Sequence, residues 1–184
     1  ENQILSFHGR NDDHKETGSN RTYKINFTQI FNQLKLGLTH STGLKNASLY
    51  EFYGNTGIRS IKPETSETNE IIGEYSLSNN IKFSSTAYRT RMKDRIKIKS
   101  DWSGYENKVP DTTQEGLENE LIFLGKDQQL SFVSHFAKSR TINDGPNSRR
   151  PDLSYGIDYS KKFNLTNYGQ FDLNISHRYI RYHN

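Results

Sequence analysis

The 184-residue sequence has no cysteine, one methionine, one tryptophan and four prolines. Without cysteine there are no disulfides, thiolate metal sites, iron–sulfur clusters or cysteine nucleophiles, and the compartment stays open. Hydrophobic residues make up only 31%, where water-soluble domains carry ~45–50% apolar residues with glycine counted. Mean hydropathy is −0.93, so one dense core is hard to build. No apolar run approaches the ~18 residues of a membrane helix, and no signal-peptide pattern opens the chain. Glu1 begins what already reads as a strand, so the chain is expected to be a piece of a longer product. Alanine, the best helix former, occurs only at Ala47, Ala87 and Ala137. The net charge of +4 permits an anionic partner, but both signs are scattered and nucleic acid is not expected.

What is present is aromatic and strand-forming. Aromatics reach 12%, with 11 Tyr and 10 Phe, which argues against disorder and for an all-β chain. Period-two alternation recurs along nearly the whole length. Leu34, Leu36 and Leu38 alternate with Lys35, and Tyr23, Ile25 and Phe27 with Lys24, Asn26 and Thr28. Leu153, Tyr155, Ile157 and Tyr159 alternate with Ser154 and Asp158. Phe171, Leu173, Ile175 and Tyr179 alternate with Asp172, Asn174, Ser176 and Arg178. Leu117, Leu121 and Phe123 oppose Glu118 and Glu120. Further strands are expected over 3–10, 68–78, 81–98 and 130–141, about nine in all, and no segment shows helical periodicity.

The links alternate in size. Short ones are expected at 31–33, 78–81, 125–129 and 164–169. Long, charged ones are expected at 11–21, 42–67, 99–114 and 143–151. This rhythm fits an up-and-down meander with tight turns at one end and long loops at the other, the layout of a membrane β-barrel. Several strands reach the ~9–11 residues that cross a bilayer when tilted. The polar face carries Lys35, Glu118, Glu120, Asp158, Asp172 and Arg178, which favours a wet or plugged lumen. The alternative is a soluble sheet or sandwich whose polar face meets water. Gln29 and His40 fall on the lipid face, near strand ends where a polar group costs little.

Four segments carry a resemblance. They are Ser41–Gly54 (STGLKNASLYEFYG); Ile61–Ser66 (IKPETS), followed by Glu70 and Gly73; Gln114–Glu120 (QEGLENE); and Arg149-Arg150-Pro151. In order and spacing they are similar to strand and loop motifs of the TonB-dependent outer-membrane transporters. Ala47 stands where that family usually has proline and Asn46 where it has alanine, and two residues rather than one separate Glu70 from Gly73. The resemblance implies an antiparallel up-and-down transmembrane β-barrel, residues 1–184 supplying about nine strands of a barrel of about 22. The plug domain, the energy-coupling segment and the final strands are expected to lie outside this stretch. It also implies an outer-membrane location in a Gram-negative cell and a likeness to cobalamin or siderophore receptors. The implied partners are outer-membrane lipid and lipopolysaccharide, a plug, the TonB energy complex and a small bulky ligand.

At the long-loop end Tyr50, Phe52, Tyr53, Trp102 and Tyr105 could pack loops together or offer an apolar, hydrogen-bonding surface to a bulky ligand. Arg149 and Arg150 could bind a carboxylate or phosphate, or be solvated, or touch lipopolysaccharide. The basic run Lys93–Lys99 is expected at the outer rim. No catalytic residue, metal site or cofactor is expected. The six histidines lack ligand spacing, Asp12-Asp13-His14 reads as a solvated loop, and Glu118 with Glu120 reads as a contact for plug arginines rather than a glycosidase pair. The expected function is therefore active transport through an outer-membrane receptor. The alternative is a soluble or surface-exposed β-sheet carbohydrate-binding module.

Overall fold

β-Branched and aromatic residues at every second position favour a pleated, half-buried backbone. The computed structural model of the chain describes residues 2–53, 61–109, 111–142, 145–146, 151–166 and 168–182. Its strands are β1 (Asn2–His14), β2 (Gly18–Phe31), β3 (Leu34–Lys45), β4 (Glu64–Ser78), β5 (Ile81–Lys93), β6 (Arg95–Ile98), β7 (Tyr105–Val109), β8 (Thr112–Leu124), β9 (Gln128–Thr141), β10 (Gly145–Pro146), β11 (Pro151–Leu165) and β12 (Gly169–Tyr182). One helix, α1 (Leu49–Tyr53), interrupts the series. Nine strands form one antiparallel sheet in the order β1-β2-β3-β4-β5-β8-β9-β11-β12, β10 sits beside β9, and β6 pairs with β7 apart from them. The sheet is open: β1 and β12 are edges among the described residues.

Register decides which residues share a face. Leu38, Ile71, Ala87, Leu117, Phe136 and Leu153 are successive cross-strand partners on one rung. Lys35, Glu74, Ser84, Glu120, Val133, Gly156 and Arg178 form a rung on the other face. Among the described residues no second sheet covers the apolar face. Leu36, Leu38, Ile71, Phe132 and Phe136 remain 41–61% exposed, which a β-sandwich would not allow. Strands of 12 to 15 residues exceed the ~9–11 needed to cross a bilayer, so their ends project beyond it.

At one end the connections are tight. Asn32 turns with φ +42° and Gly169 with φ +90°. Neighbouring turns are stitched together: the amides of Ser76, Leu124 and Lys162 donate to the carbonyls of Gln33, Asn80 and Asp127 at 2.9, 2.7 and 2.8 Å. The other end holds the connections between β1 and β2, β3 and β4, β5 and β8, and β9 and β11.

Three expectations are corrected. The link expected over 11–21 is mostly paired strand: Asn11 faces Arg21, Asp12 faces Asn20 and Asp13 faces Ser19. Cross-strand bonds from Ser19 Oγ and Arg21 Nε to Asn11 Oδ1, at 3.0 and 3.4 Å, hold this polar stretch extended. Gly18, at φ +72°, closes the turn. The single strand expected over 81–98 breaks at Asp94, whose φ of +52° no extended strand accepts. The chain then leaves the main sheet to form β6 and β7, so the loop expected over 99–114 is in part a hairpin. Finally, α1 lies where no helix was expected, too short to show helical periodicity.

Two outcomes follow. An arginine in place of Leu121, inside the apolar belt, is expected to cost the barrel ~2–4 kcal/mol of folding free energy in phosphocholine vesicles, while a lysine in place of Thr86 on the opposite face costs much less. Equal losses would contradict the assignment of faces. The 184-residue chain alone, with its two unpaired edges, is expected to aggregate in detergent-free buffer. A monomer with a cooperative melt under those conditions, by light scattering and calorimetry, would overturn this.

Candidate functional site

The loop end has a framework of its own. After β3, Ser48 caps α1. Its hydroxyl accepts from the Glu51 amide at 3.2 Å, and the Glu51 carboxylate accepts from the Ser48 amide at 2.6 Å. This reciprocal box satisfies two amides that a helix start would otherwise leave unpaired. A helix of five residues is unstable alone, and tertiary packing holds it. Phe52, 2% exposed, packs with Ala47 and Ile61, and Ile96 and Tyr105 lean on the group. His14 stacks on Phe52 with ring centres 6.1 Å apart. The Tyr53 hydroxyl donates to Glu16, and Thr17 Oγ1 donates to Asn46 Oδ1 at 3.1 Å.

The β6–β7 hairpin is clasped onto the same unit by Asn107. Its Oδ1 accepts from the Lys62 amide at 2.8 Å, and its Nδ2 donates to the carbonyls of Lys62 and Asp94 at 3.0 and 2.6 Å. The Ile96 amide donates to Glu64 Oε1 at 2.9 Å. At the hairpin tip the Lys99 amide donates to the Gly104 carbonyl at 2.8 Å, and the Trp102 amide to the Lys99 carbonyl at 3.0 Å. Asp101 Oδ1 accepts from the Ser103 amide and hydroxyl at 3.0 and 2.8 Å. These bonds, the amide first, hold the Asp101 carboxyl below its ordinary range. The turn presents Trp102 at φ +60°, in the left-handed region, with 71% of its surface exposed.

The aromatic candidates therefore separate. Tyr50, Tyr53 and Trp102 are exposed, and so is Leu49, which the sequence reading did not single out. Phe52 lies inside the loop core, and half-buried Tyr105 meets Tyr50 edge-on at 6.1 Å. Arg149 and Arg150 lie outside the described residues. Among the described residues no group of three or more His, Asp or Glu is placed to hold a metal ion.

The polar face carries a second constellation. Lys35 pairs with Glu74 at 2.8 Å and Arg178 with Asp158 at 2.7 Å. Ser176 Oγ also donates to Asp158, and Gln170 Nε2 to Asp172. His135 bonds Tyr88 at 2.9 Å and lies 3.6 Å from Glu118. A concavity of about 550 Å³ opens here, lined by Glu118, Glu120, His135 and Arg178. Two glycines on this face leave room for long neighbouring side chains. A Cβ at Gly116 would stand 2.5 Å from Tyr88, and one at Gly156 2.5 Å from Arg178 Nη1, so both long side chains lie flat across the sheet.

Phe52→Ala is expected to remove ~3–5 kcal/mol from the loop core. Hydrogen exchange checks this: the amides of Phe52, Lys62 and Ile96 are expected to lose protection while those of β8 keep theirs. A uniform loss across the sheet would mean that the loops have no core of their own.

Comparisons with known proteins agree with this geometry. The family described as TonB dependent receptor-like, beta-barrel matches residues 4–184. The vitamin B12 transporter BtuB of Vibrio cholerae is 25% identical over 174 residues, 93% of this chain and 27% of the transporter. The chain thus spans about a quarter of the length of the curated relatives it matches. Among solved structures, the siderophore receptor PirA of Acinetobacter baumannii superposes with a TM-score of 0.75 at 16% identity, over 96% of this chain and 36% of the receptor. The ferric yersiniabactin uptake receptor FyuA of Yersinia pestis gives 0.68 at 13% identity, over 88% and 26%. With an apolar belt outside, ion pairs on the opposite face and long loops at one end, the chain belongs to the TonB-dependent receptor β-barrel family of the Gram-negative outer membrane.

Proposed function

We propose that this chain is part of an outer-membrane active-transport receptor that binds a scarce, bulky ligand at its loops and imports it in a TonB-coupled manner. The observation that carries the reading is the loop end. Leu49, Tyr50, Tyr53 and Trp102 are exposed on a scaffold with its own buried core and polar clasps. Rigid aromatics with a polar tip lose little entropy on contact, and a scaffold held by Phe52 and Asn107 keeps them placed before the ligand arrives. Family membership and the likeness to cobalamin and siderophore receptors support a cobalamin, a siderophore or a ligand of similar bulk. The family acts in transport, and no enzymatic role is proposed.

On the polar face Glu118 and Glu120 would contact cationic groups of a plug supplied from outside residues 1–184, with Lys35, Asp158, Asp172 and Arg178 lining the same lumen. The plug would leave the ligand path when the inner-membrane energy complex pulls on it. The carbohydrate-module alternative has no use for a broad uncovered apolar face.

Uptake of labelled cobalamin and of a panel of ferric siderophores, by cells carrying the full-length receptor with and without the energy complex, tests the reading. Trp102→Ala or Tyr50→Ala is expected to cost the transported ligand ~1–3 kcal/mol, about tenfold to a hundredfold or more in affinity. Tyr168→Ala at a tight turn is expected to leave affinity unchanged. Equal losses at both ends would mean that the substitutions act through folding, and energy-independent uptake would refute the coupling.

A further inference from the structure

We infer that the wall formed by β5, β8, β9 and β11 is the side of the lumen along which the imported ligand passes, and that it selects a neutral or cationic ligand with amide and hydroxyl groups over a polyanionic one. The inference rests on the import reading and adds to it a path and a ligand chemistry.

Clearance is the first observation. Two side chains long enough to obstruct the lumen lie flat on this wall. Tyr88 leaves β5, crosses β8 above Gly116 and meets His135 of β9 at 2.9 Å. The two rings stack with centres 6.1 Å apart and planes 19° apart, and Gln114 Nε2 donates to the Tyr88 hydroxyl at 3.3 Å. Arg178 reaches from β12 over Gly156 and is held by Asp158 at 2.7 Å. Glycine inside a strand marks a close approach, and here the approaching groups are a phenol ring and a guanidinium. A methyl group at residue 116 would stand 2.5 Å from the Tyr88 ring, so the ring would have to lift into the lumen. The hollow of about 550 Å³ occupies the two rungs that follow toward the tight turns, Thr86 with Glu118 and His135, then Ser84 with Glu120 and Val133.

The second observation is what the wall leaves free. On β2, β3 and β4 the threonine hydroxyls of this face are spent on neighbours. Thr39 Oγ1 donates to Asn26 Oδ1 at 2.8 Å, Asn26 Nδ2 donates to Thr28 Oγ1 at 3.3 Å, and Thr68 bonds Thr90 at 2.9 Å. In the hollow, by contrast, the hydroxyls of Ser84, Thr86 and Ser154 have no hydrogen-bond partner among the described residues, and Glu120 has no ion-pair partner there. A hydroxyl both donates and accepts, so it can serve successive amide and hydroxyl groups of a moving ligand without a charge that holds it back. The cation of the hollow, Arg178, is engaged by Asp158, and Lys82 stands one rung further toward the tight turns. Once the cations of the plug leave Glu118 and Glu120, two carboxylates face the path. Like charges repel at short range, so a ligand with several negative charges is disfavoured there.

The experiment uses the full-length receptor in intact cells and three labelled probes: amide-rich cobalamin, an uncharged ferric trihydroxamate complex and a polyanionic ferric tris-catecholate complex. Binding to de-energised cells gives the affinity at the loops, and uptake by energised cells gives the rate of passage. Cobalamin or the trihydroxamate is expected to enter, and the tris-catecholate is not. Gly116→Ala is expected to slow uptake of the entering probe about tenfold with its affinity unchanged. The atoms it displaces are the far end of the Tyr88 side chain, so the barrel still folds, which heat-modifiability on electrophoresis verifies. G116A/Y88A, which removes the lifted ring, restores the rate. Gly37→Ala on β3, whose Cβ would meet Ile72 at an ordinary 3.5 Å, changes neither quantity. Parental uptake by folded G116A, or uptake by G116A/Y88A as slow as that of G116A, overturns the passage face. Entry of the tris-catecholate as fast as the other probes overturns the ligand class. Exclusion of all three probes from energised cells overturns the import reading, and the passage face with it.

Discussion

The structure depends on strand register. Each strand alternates apolar and polar residues, and each antiparallel pairing carries that alternation to its neighbour without a slip through the apolar belt. A shift of one residue in the pairing of β8 with its neighbours would put Leu117 and Leu121 among the ion pairs and Glu118 and Glu120 against hydrocarbon. Backbone bonding cannot tell these registers apart, since both form complete ladders. The bilayer can, because an ionised side chain in its core costs several kcal/mol. The stitched turns and the cross-strand pairs Lys35–Glu74 and Asp158–Arg178 add smaller preferences for the same register.

Among the described residues, irregularity appears only where the bilayer no longer constrains the chain. Beyond the belt, water can satisfy backbone groups, and the strands accept a left-handed residue at Asp94, a short helix and a hairpin that leaves the sheet. This is also where the described residues bury apolar side chains away from solvent, around Phe52. The molecule thus has two kinds of apolar surface: a broad face turned to lipid and a small loop core built like the interior of a water-soluble protein.

Much of the sheet was legible from the residues. Leu34, Leu36 and Leu38, or Leu153, Tyr155 and Ile157, can share a buried or lipid face in one strand phase only, so faces and turn ends followed from alternation. The loop end was less legible, because its determinants are single long-range contacts. Ser48 and Glu51 do show a capping-box spacing in the sequence, but a five-residue helix leaves no periodicity to support it. Asn107, which clasps Lys62 and Asp94, is indistinguishable in sequence from any other loop asparagine. Phe52 and Trp102 look alike as loop aromatics, yet one is enclosed and the other exposed. That difference is decided by the β6–β7 hairpin folding over α1. Along 81–98 the apolar positions move from odd (Ile81, Phe83, Ala87) to even (Ile96, Ile98), a change of phase that reading one continuous strand passes over and that the backbone angle at Asp94 locates.

The location of the loop core bears on the heat capacity of the molecule. Unfolding raises heat capacity when apolar groups move from protein into water. The side chains of the belt face acyl chains in the folded state, and their transfer to water is blocked while the chain stays in the bilayer. The Phe52 cluster, by contrast, passes directly into water when the loops open. In the membrane, the curvature of stability with temperature is therefore concentrated in a small group of residues at the loop end, where cooling and heating both weaken the scaffold while the sheet beneath it changes little.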